Sequence, residues 1–411
     1  MTATVRRRPR TRTPTLAALA PILGDEGLRL FFPLSALHLA LWPVLWAIVG
    51  GFALPFDEPL PPTLRHGHEM LVGGFGAALI GFVTTAVPEW SNIDRLRGRP
   101  LFVLAALWAV GRLAGLLAAA PLSLVGAVAD ALWLVALPVY VLVVLVRRRR
   151  ARLLGMVLWL SALAAAGVTL QAAIVLADVE LAAAALQAVA LVYVGLLGLV
   201  LGRITVPVTN LILDPTETTS PYRPHPGRLN LAPGMAAVAL AGTVAGLSPA
   251  VTGYLLIGAG AAFLDRTGEV FVGREAFRTA LLAPALASLM AGLGLGLMGL
   301  ARLGAPFPET PALHLVMMGG LGLAVLTVFA VAGLMHTGRR LTMLPRAVPA
   351  AVALLVAAVV LRVGPDLGLM PAPPGPPHAL AAVLWAGSFL LWLWRYWPML
   401  SRPNASDDKI C

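Results

Sequence analysis

Charge is scarce in this sequence. Only 12% of its 411 residues are Asp, Glu, Lys or Arg, about half the share of a soluble globular domain. With 59% hydrophobic residues, that excludes both a soluble enzyme and a disordered chain. Cysteine is nearly absent: Cys411, the last residue, stands alone, which rules out an intrachain disulfide and a cysteine-based metal cluster. Acidic residues are also few, 19 against 30 basic ones, leaving a net charge of +11. Nucleic-acid binding does not follow, because basic residues in a membrane protein collect in cytoplasmic loops and fix topology. Long polar stretches are missing too. The longest connector runs from about Thr209 to Asn230, so no soluble domain of useful size remains.

What is present is a series of apolar runs long enough for spanning helices. They begin near Leu30, His68, Pro100, Leu122, Arg152, Leu181, Leu231, Ala250, Phe277, Pro311, Pro345 and His378. The fold class is therefore all-α: a polytopic transmembrane helical bundle of about twelve helices. The two runs within 231–266 are short and separated only by Ser248-Pro249. Arg6, Arg7, Arg8, Arg10 and Arg12 precede Asp25 and Glu26 before the first full run, which is not the pattern of a cleavable signal peptide. With the N-terminus in the cytoplasm, nearly all arginines fall inside. Arg65, Arg302 and Arg362 fall outside, and Arg112 falls within a span. This bias predicts N-in and C-in, with an even helix count. The expected layout is a basic cytoplasmic tail over 1–29, a transmembrane domain over 30–398 and a cytoplasmic tail over 399–411. The lipid bilayer is the expected partner, and nucleic acid is not one.

In so apolar a chain the seven histidines draw attention. The second span reads His68-Glu69-Met70-Leu-Val-Gly73-Gly74-Phe-Gly76-Ala-Ala78, and the tenth reads His314-Leu-Val-Met-Met-Gly319-Gly320-Leu-Gly322-Leu-Ala324. Both are H-x4-G-G-x-G-x-A, and both run from outside to inside. Two readings stand. A flat cofactor such as a porphyrin needs imidazoles from facing helices and missing side chains beside its ring. Glycine runs are also surfaces for close helix packing. His66, two residues before His68, turns to a different side of the helix. Arg112 and Asp130 lie at matching depths in the third and fourth spans, and intramembrane ions pair or serve function. His336, about 22 residues beyond His314, lies about 33 Å away at the usual helical rise, so the two cannot share one metal.

The residues also carry a family likeness. His66-Gly-His68-Glu69-Met70, then Gly81-Phe82-Val-Thr-Thr85-Ala86-Val87-Pro88-Glu89-Trp90, then Trp108-Ala-Val-Gly111-Arg112 and His336-Thr337-Gly338-Arg339 resemble the NnrS family. Arg29-Leu-Phe31-Phe32 and Gly202-Arg203-Ile-Thr-Val-Pro207 add looser matches, and together the likeness spans about residues 28–340. The family comprises bacterial membrane proteins associated with the nitric oxide response that carry haem and copper. The resemblance implies haem b, and copper as a second metal, with nitric oxide or a small redox partner. It implies His68 and His314 as axial haem ligands, with Gly73 and Gly319 beside the ring. Arg112 either faces the haem propionates or pairs with Asp130. His66, Met70, Met290 and His336 are candidate copper or second-site ligands, since imidazole and thioether suit copper. The chain departs from the family pattern at Arg65, where Trp is usual, at Glu89, where Asn is usual, and at Met290, near a usual His. A more distant likeness is to the twelve-helix catalytic subunit of haem-copper oxidases. Residues 181–248 hold only His225, so the copper-binding histidines of that subunit's sixth and seventh helices have no counterpart. A cofactor-free transporter with histidines along its path is the other function class. The reaction itself is left open.

Overall fold

A computed structural model describes residues 16–52, 61–117 and 120–403. The arginines before residue 13, the acidic outer turn at Asp57-Glu58, and Lys409 and Cys411 lie outside the described residues. Every regular element described is helical. Thirteen helices follow in order. They are α1 Leu16–Leu23, α2 Gly27–Phe52, α3 Pro62–Ser91, α4 Arg99–Leu117, α5 Ala120–Arg148, α6 Leu154–Leu176 and α7 Val179–Leu213. Then come α8 Arg228–Val244, α9 Pro249–Arg266, α10 Thr279–Arg302, α11 Glu309–Met335, α12 Ala347–Val363 and α13 Ala379–Leu400.

The protein is a multi-pass membrane bundle. Nine of the described helices are long and apolar enough to cross a bilayer. The other three expected crossings are α8, α9 and α12, with 17, 18 and 17 residues. The chain ends bear on the count. Arg29 Nη1, at the start of α2, donates to the carbonyls of Leu400 and Arg402, both at 2.8 Å. The first turn of α2 and the last turn of α13 therefore share one face of the bundle, and the crossings between them are even in number. Nine is odd, so if all nine cross, the three shorter helices add an odd number of crossings. Of these, α8 and α9 form a hairpin: Arg228, opening α8, pairs with Asp265 at the end of α9 at 2.9 Å.

Sequential neighbours supply most of the packing, and α2 closes the bundle against α13. Small residues let backbones approach, as lipid offers no hydrophobic drive for helix association. Gly260 and Gly292 bring α9 and α10 together, and Gly253 with Gly299 repeats the device one level away. Proline shapes the helix starts: Pro62 opens α3 and Pro249 opens α9, where a missing N–H costs nothing.

Two helices depart from α geometry at one matched place. Glu69–Phe75 in α3 and Leu315–Gly322 in α11 are both π-helical, and each begins one residue after its echo histidine. A π segment widens the helix and loosens its i→i−4 ladder. In α3 the exposed carbonyls find side-chain donors from three neighbouring helices. Tyr193 Oη donates to Leu71 O at 2.8 Å, Trp108 Nε1 to Gly73 O at 2.8 Å and Ser35 Oγ to Gly74 O at 2.8 Å. The His38 Nε2 lies 3.1 Å from Glu69 O. An unsatisfied carbonyl in hydrocarbon costs several kcal/mol, so these four side chains hold the π segment in place.

Candidate cofactor site and a buried ion cluster

The repeated sequence pattern is repeated in space. Gly73 and Gly74 of α3 receive His38 and Leu39 of α2, while Gly319 and Gly320 of α11 receive Met290 and Ala291 of α10. Gly76 packs against the indole of Trp133 on α5, and its counterpart Gly322 packs against the indole of Trp385 on α13. Arg112 on α4 and Arg362 on α12 each stand near the histidine-bearing turn of a π-bearing helix. The unit α2–α5 thus recurs, in the same chain direction, as α10–α13. The glycine faces of both units are filled by protein side chains, with Arg112 also reaching Gly73 and the Met290 thioether reaching Gly319.

The first unit encloses a cluster of ions. Arg112, Asp130 and Glu69 are 5%, 1% and 2% exposed. Arg112 Nη2 donates to Asp130 Oδ2, and Arg112 Nη1 lies 2.7 Å from Glu69 Oε1. Asp130 also accepts from Trp133 Nε1 at 2.9 Å and from Gln171 Nε2 at 3.0 Å. His68 stands between the carboxylates, with Nδ1 3.1 Å from Glu69 Oε1 and Nε2 2.8 Å from Gln171 Nε2. His38 Nε2 lies 3.2 Å from Glu69 Oε2. Five helices contribute. The pairing of Arg112 with Asp130 follows from their matched depth in the sequence. Glu69 and Gln171 carry as much of the cluster; Gln171 gave no signal, since a single amide in an apolar helix has no spacing partner.

The second unit has the same positions without the acids. Leu315 stands where Glu69 stands, Met290 where His38 stands, and no carboxylate faces Arg362 from α13. Arg362 pairs instead with Asp366, one turn on. His314 faces His66 across the bundle: their ring centroids are 6.4 Å apart and their planes 17° from parallel. Trp46 lies against His66 at 5.0 Å between centroids. His314 Nδ1 lies 2.9 Å from Thr310 O and 3.4 Å from Arg362 Nη2. The shorter contact sets the tautomer: Nδ1 carries the proton, and Nε2 is left with its lone pair. The His66 Nδ1 is buried with no hydrogen-bond partner. His378, outside the spans at the start of α13, has its imidazole pKa lowered by burial and by Arg362.

The structure thus brings His66 to His314 and places His68 among the ions on another side of α3. Met70 and Met290 pack against the apolar core. His336 is at the far end of α11, with Nδ1 2.8 Å from Glu26 Oε1 and Nε2 3.4 Å from Glu89 Oε2. Just beyond the end of the span, burial would lower its pKa, but the two carboxylates outweigh burial and raise it to about 9. Among the described residues no group of three or more His, Cys, Asp or Glu is placed to hold a metal ion.

The donor set at the His66–His314 pair fits a haem better than a bare cation. Two imidazoles whose centroids lie 6.4 Å apart are near enough to serve one bound group. Metal-bound imidazoles characteristically donate their other N–H to a carbonyl, as His314 does to Thr310. Arg362 stands beside the pair, with Nη2 3.4 Å from His314 Nδ1, a setting that disfavours an added cation and favours an anionic group such as a propionate. His68 fits less well, because both its ring nitrogens already have protein partners.

No curated protein and no solved structure matches this chain. The profile of one family, described as NnrS protein, matches residues 22–404, which takes in every described helix but the start of α1. The chain belongs to the NnrS family.

Proposed function

We propose that this membrane protein carries a haem held by His66 and His314 and acts in the bacterial response to nitric oxide. The observation that carries the proposal is the facing imidazole pair, with the His314 tautomer fixed by Thr310. Family membership supplies the link to nitric oxide. Bound haem would supply an iron that exchanges electrons or takes a diatomic ligand. The chain's own residues would hold the two imidazoles side by side, orient the His314 ring through Thr310, and offer the Arg362 guanidinium to a propionate. With two imidazole donors offered to it, a bound haem would supply electron transfer or sensing of nitric oxide here. The His68 cluster is the polar frame that fixes α3 against α4, α5 and α6. The arginine bias supports N-in and C-in in the inner membrane, which places the imidazole pair towards the outer face. Copper, where bound, would need a further donor beside these histidines.

Purified protein tests this. The expected result is a Soret band that is lost in His66→Ala and in His314→Ala. It should persist in His68→Gln, a change that keeps a polar side chain within the ion cluster. Colourless protein that stays folded overturns the reading, as does a Soret band that survives both alanine variants.

A further inference from the structure

Between the two π-bearing helices, below the imidazole pair, lies a pocket made from equivalent positions of the repeat. Phe75 of α3 faces it with Leu321 of α11, Ala78 with Ala324, and Leu79 with Val325. Helix α7 closes the third side. The cavity volume is about 60 Å³. Its lining is apolar or aromatic throughout, and the one hydroxyl, that of Tyr193, is already committed to Leu71 O. A water molecule needs two to four polar partners, and apolar cavities without them stay dry and take up apolar guests such as xenon. The enclosed part is too small to take up an acyl or isoprenoid chain whole, and the rim is open. Phe75 is nine residues beyond His66, and Leu321 is seven beyond His314, so the deep end lies roughly 10–14 Å along the helix axes from the imidazoles. Its rim residues, Phe82, Val200 and Val328, are only partly buried.

We infer that this pocket is a binding site for a small apolar diatomic molecule of the nitric oxide or dioxygen class. Such gases concentrate in the bilayer interior. The site would hold them inside the bundle, one to two helical diameters from the imidazole pair. Its use by a metal rests on the haem reading; its occupancy by a gas does not. The placement also explains the widened helices. Each π segment ends where the pocket begins, at Phe75 and at Gly322, and the change of phase turns Ala78 and Ala324 towards one another.

Xenon is the probe. Purified, detergent-solubilised protein under xenon pressure should show one site in this pocket, by anomalous scattering in crystals and by the ¹²⁹Xe chemical shift in solution. Ala324→Phe should abolish it, and the milder Ala78→Val should weaken binding several-fold while leaving the fold intact by circular dichroism. His66→Ala and His314→Ala should leave xenon uptake unchanged, which separates failure of this inference from failure of the haem reading. Detergent or lipid chain density filling the pocket overturns the inference. So does a xenon signal that neither cavity variant alters.

Discussion

Asp130→Asn is the sharpest perturbation of the ion cluster. The native carboxylate accepts from Arg112, Trp133 and Gln171, and none of these has solvent to fall back on. Breaking a buried ion pair by removing one partner costs about 3–5 kcal/mol. The asparagine keeps volume and one acceptor oxygen, and Glu69 still touches the Arg112 guanidinium, so the expected loss is about 2–3 kcal/mol, near the lower bound. Arg112→Gln should cost more, because one cation there serves two carboxylates and its loss strands both. The double variant should cost less than the sum of the singles by about 1–3 kcal/mol, as contacting residues couple. Unfolding in detergent followed by far-ultraviolet circular dichroism measures all three. Equal effects of Arg112→Gln and Asp130→Asn, or strictly additive singles, would refute the shared-cation arrangement.

Three further outcomes follow. Tyr193→Phe and Trp108→Phe each strip a donor from a π-segment carbonyl, and each should cost about 1–3 kcal/mol in the same unfolding assay; no loss in either would mean that the carbonyls are satisfied otherwise. The His336 imidazole is raised to about 9 from 6.5, so its contribution is complete below the lower value and lost as pH rises through the upper. The melting temperature should therefore fall between those pH values in the wild type, and less so in His336→Gln. Gly195 meets the ring of Trp159 where a Cβ would lie, so Gly195→Ala should destabilise the α6–α7 contact by about 1–3 kcal/mol through overpacking, read as a lower melting temperature.

Much of the fold is legible in the sequence because hydrophobic length is a direct physical demand of the bilayer. All twelve expected runs are helices, and the two short ones flagged at Ser248-Pro249 are α8 and α9. The Arg112–Asp130 pair was readable from depth alone. The partner of His314 was not. Periodicity treats α3 as a uniform helix, whereas the π segment begins right after His68 and shifts the phase of everything beyond it. Which of two histidines two residues apart faces α11 depends on where α3 starts and how it leans, and neither is encoded locally. Gln171 and Tyr193 were illegible for a related reason: each acts on a different helix far away in sequence.

The repeat explains why one histidine is bound into a frame and the other is left for a ligand. In both units an arginine and a histidine stand near a π segment. A lone guanidinium in a bilayer must be neutralised. The first unit does so within the protein, through Asp130 and Glu69, and in doing so engages both nitrogens of His68. The second unit has Leu315 and an apolar α13 face in those places, so Arg362 must reach to Asp366 at the membrane edge. That leaves the His314 Nε2 without an acid or amide to hold it, and turns the surrounding positive field towards whatever enters. One copy of the unit is thus neutralised inside the bundle, and the other at its edge by Asp366. On the proposed reading, a ligand that brings both a metal and carboxylates would meet His314 and the neighbouring Arg362 together, which a bare metal ion or a neutral solute would not.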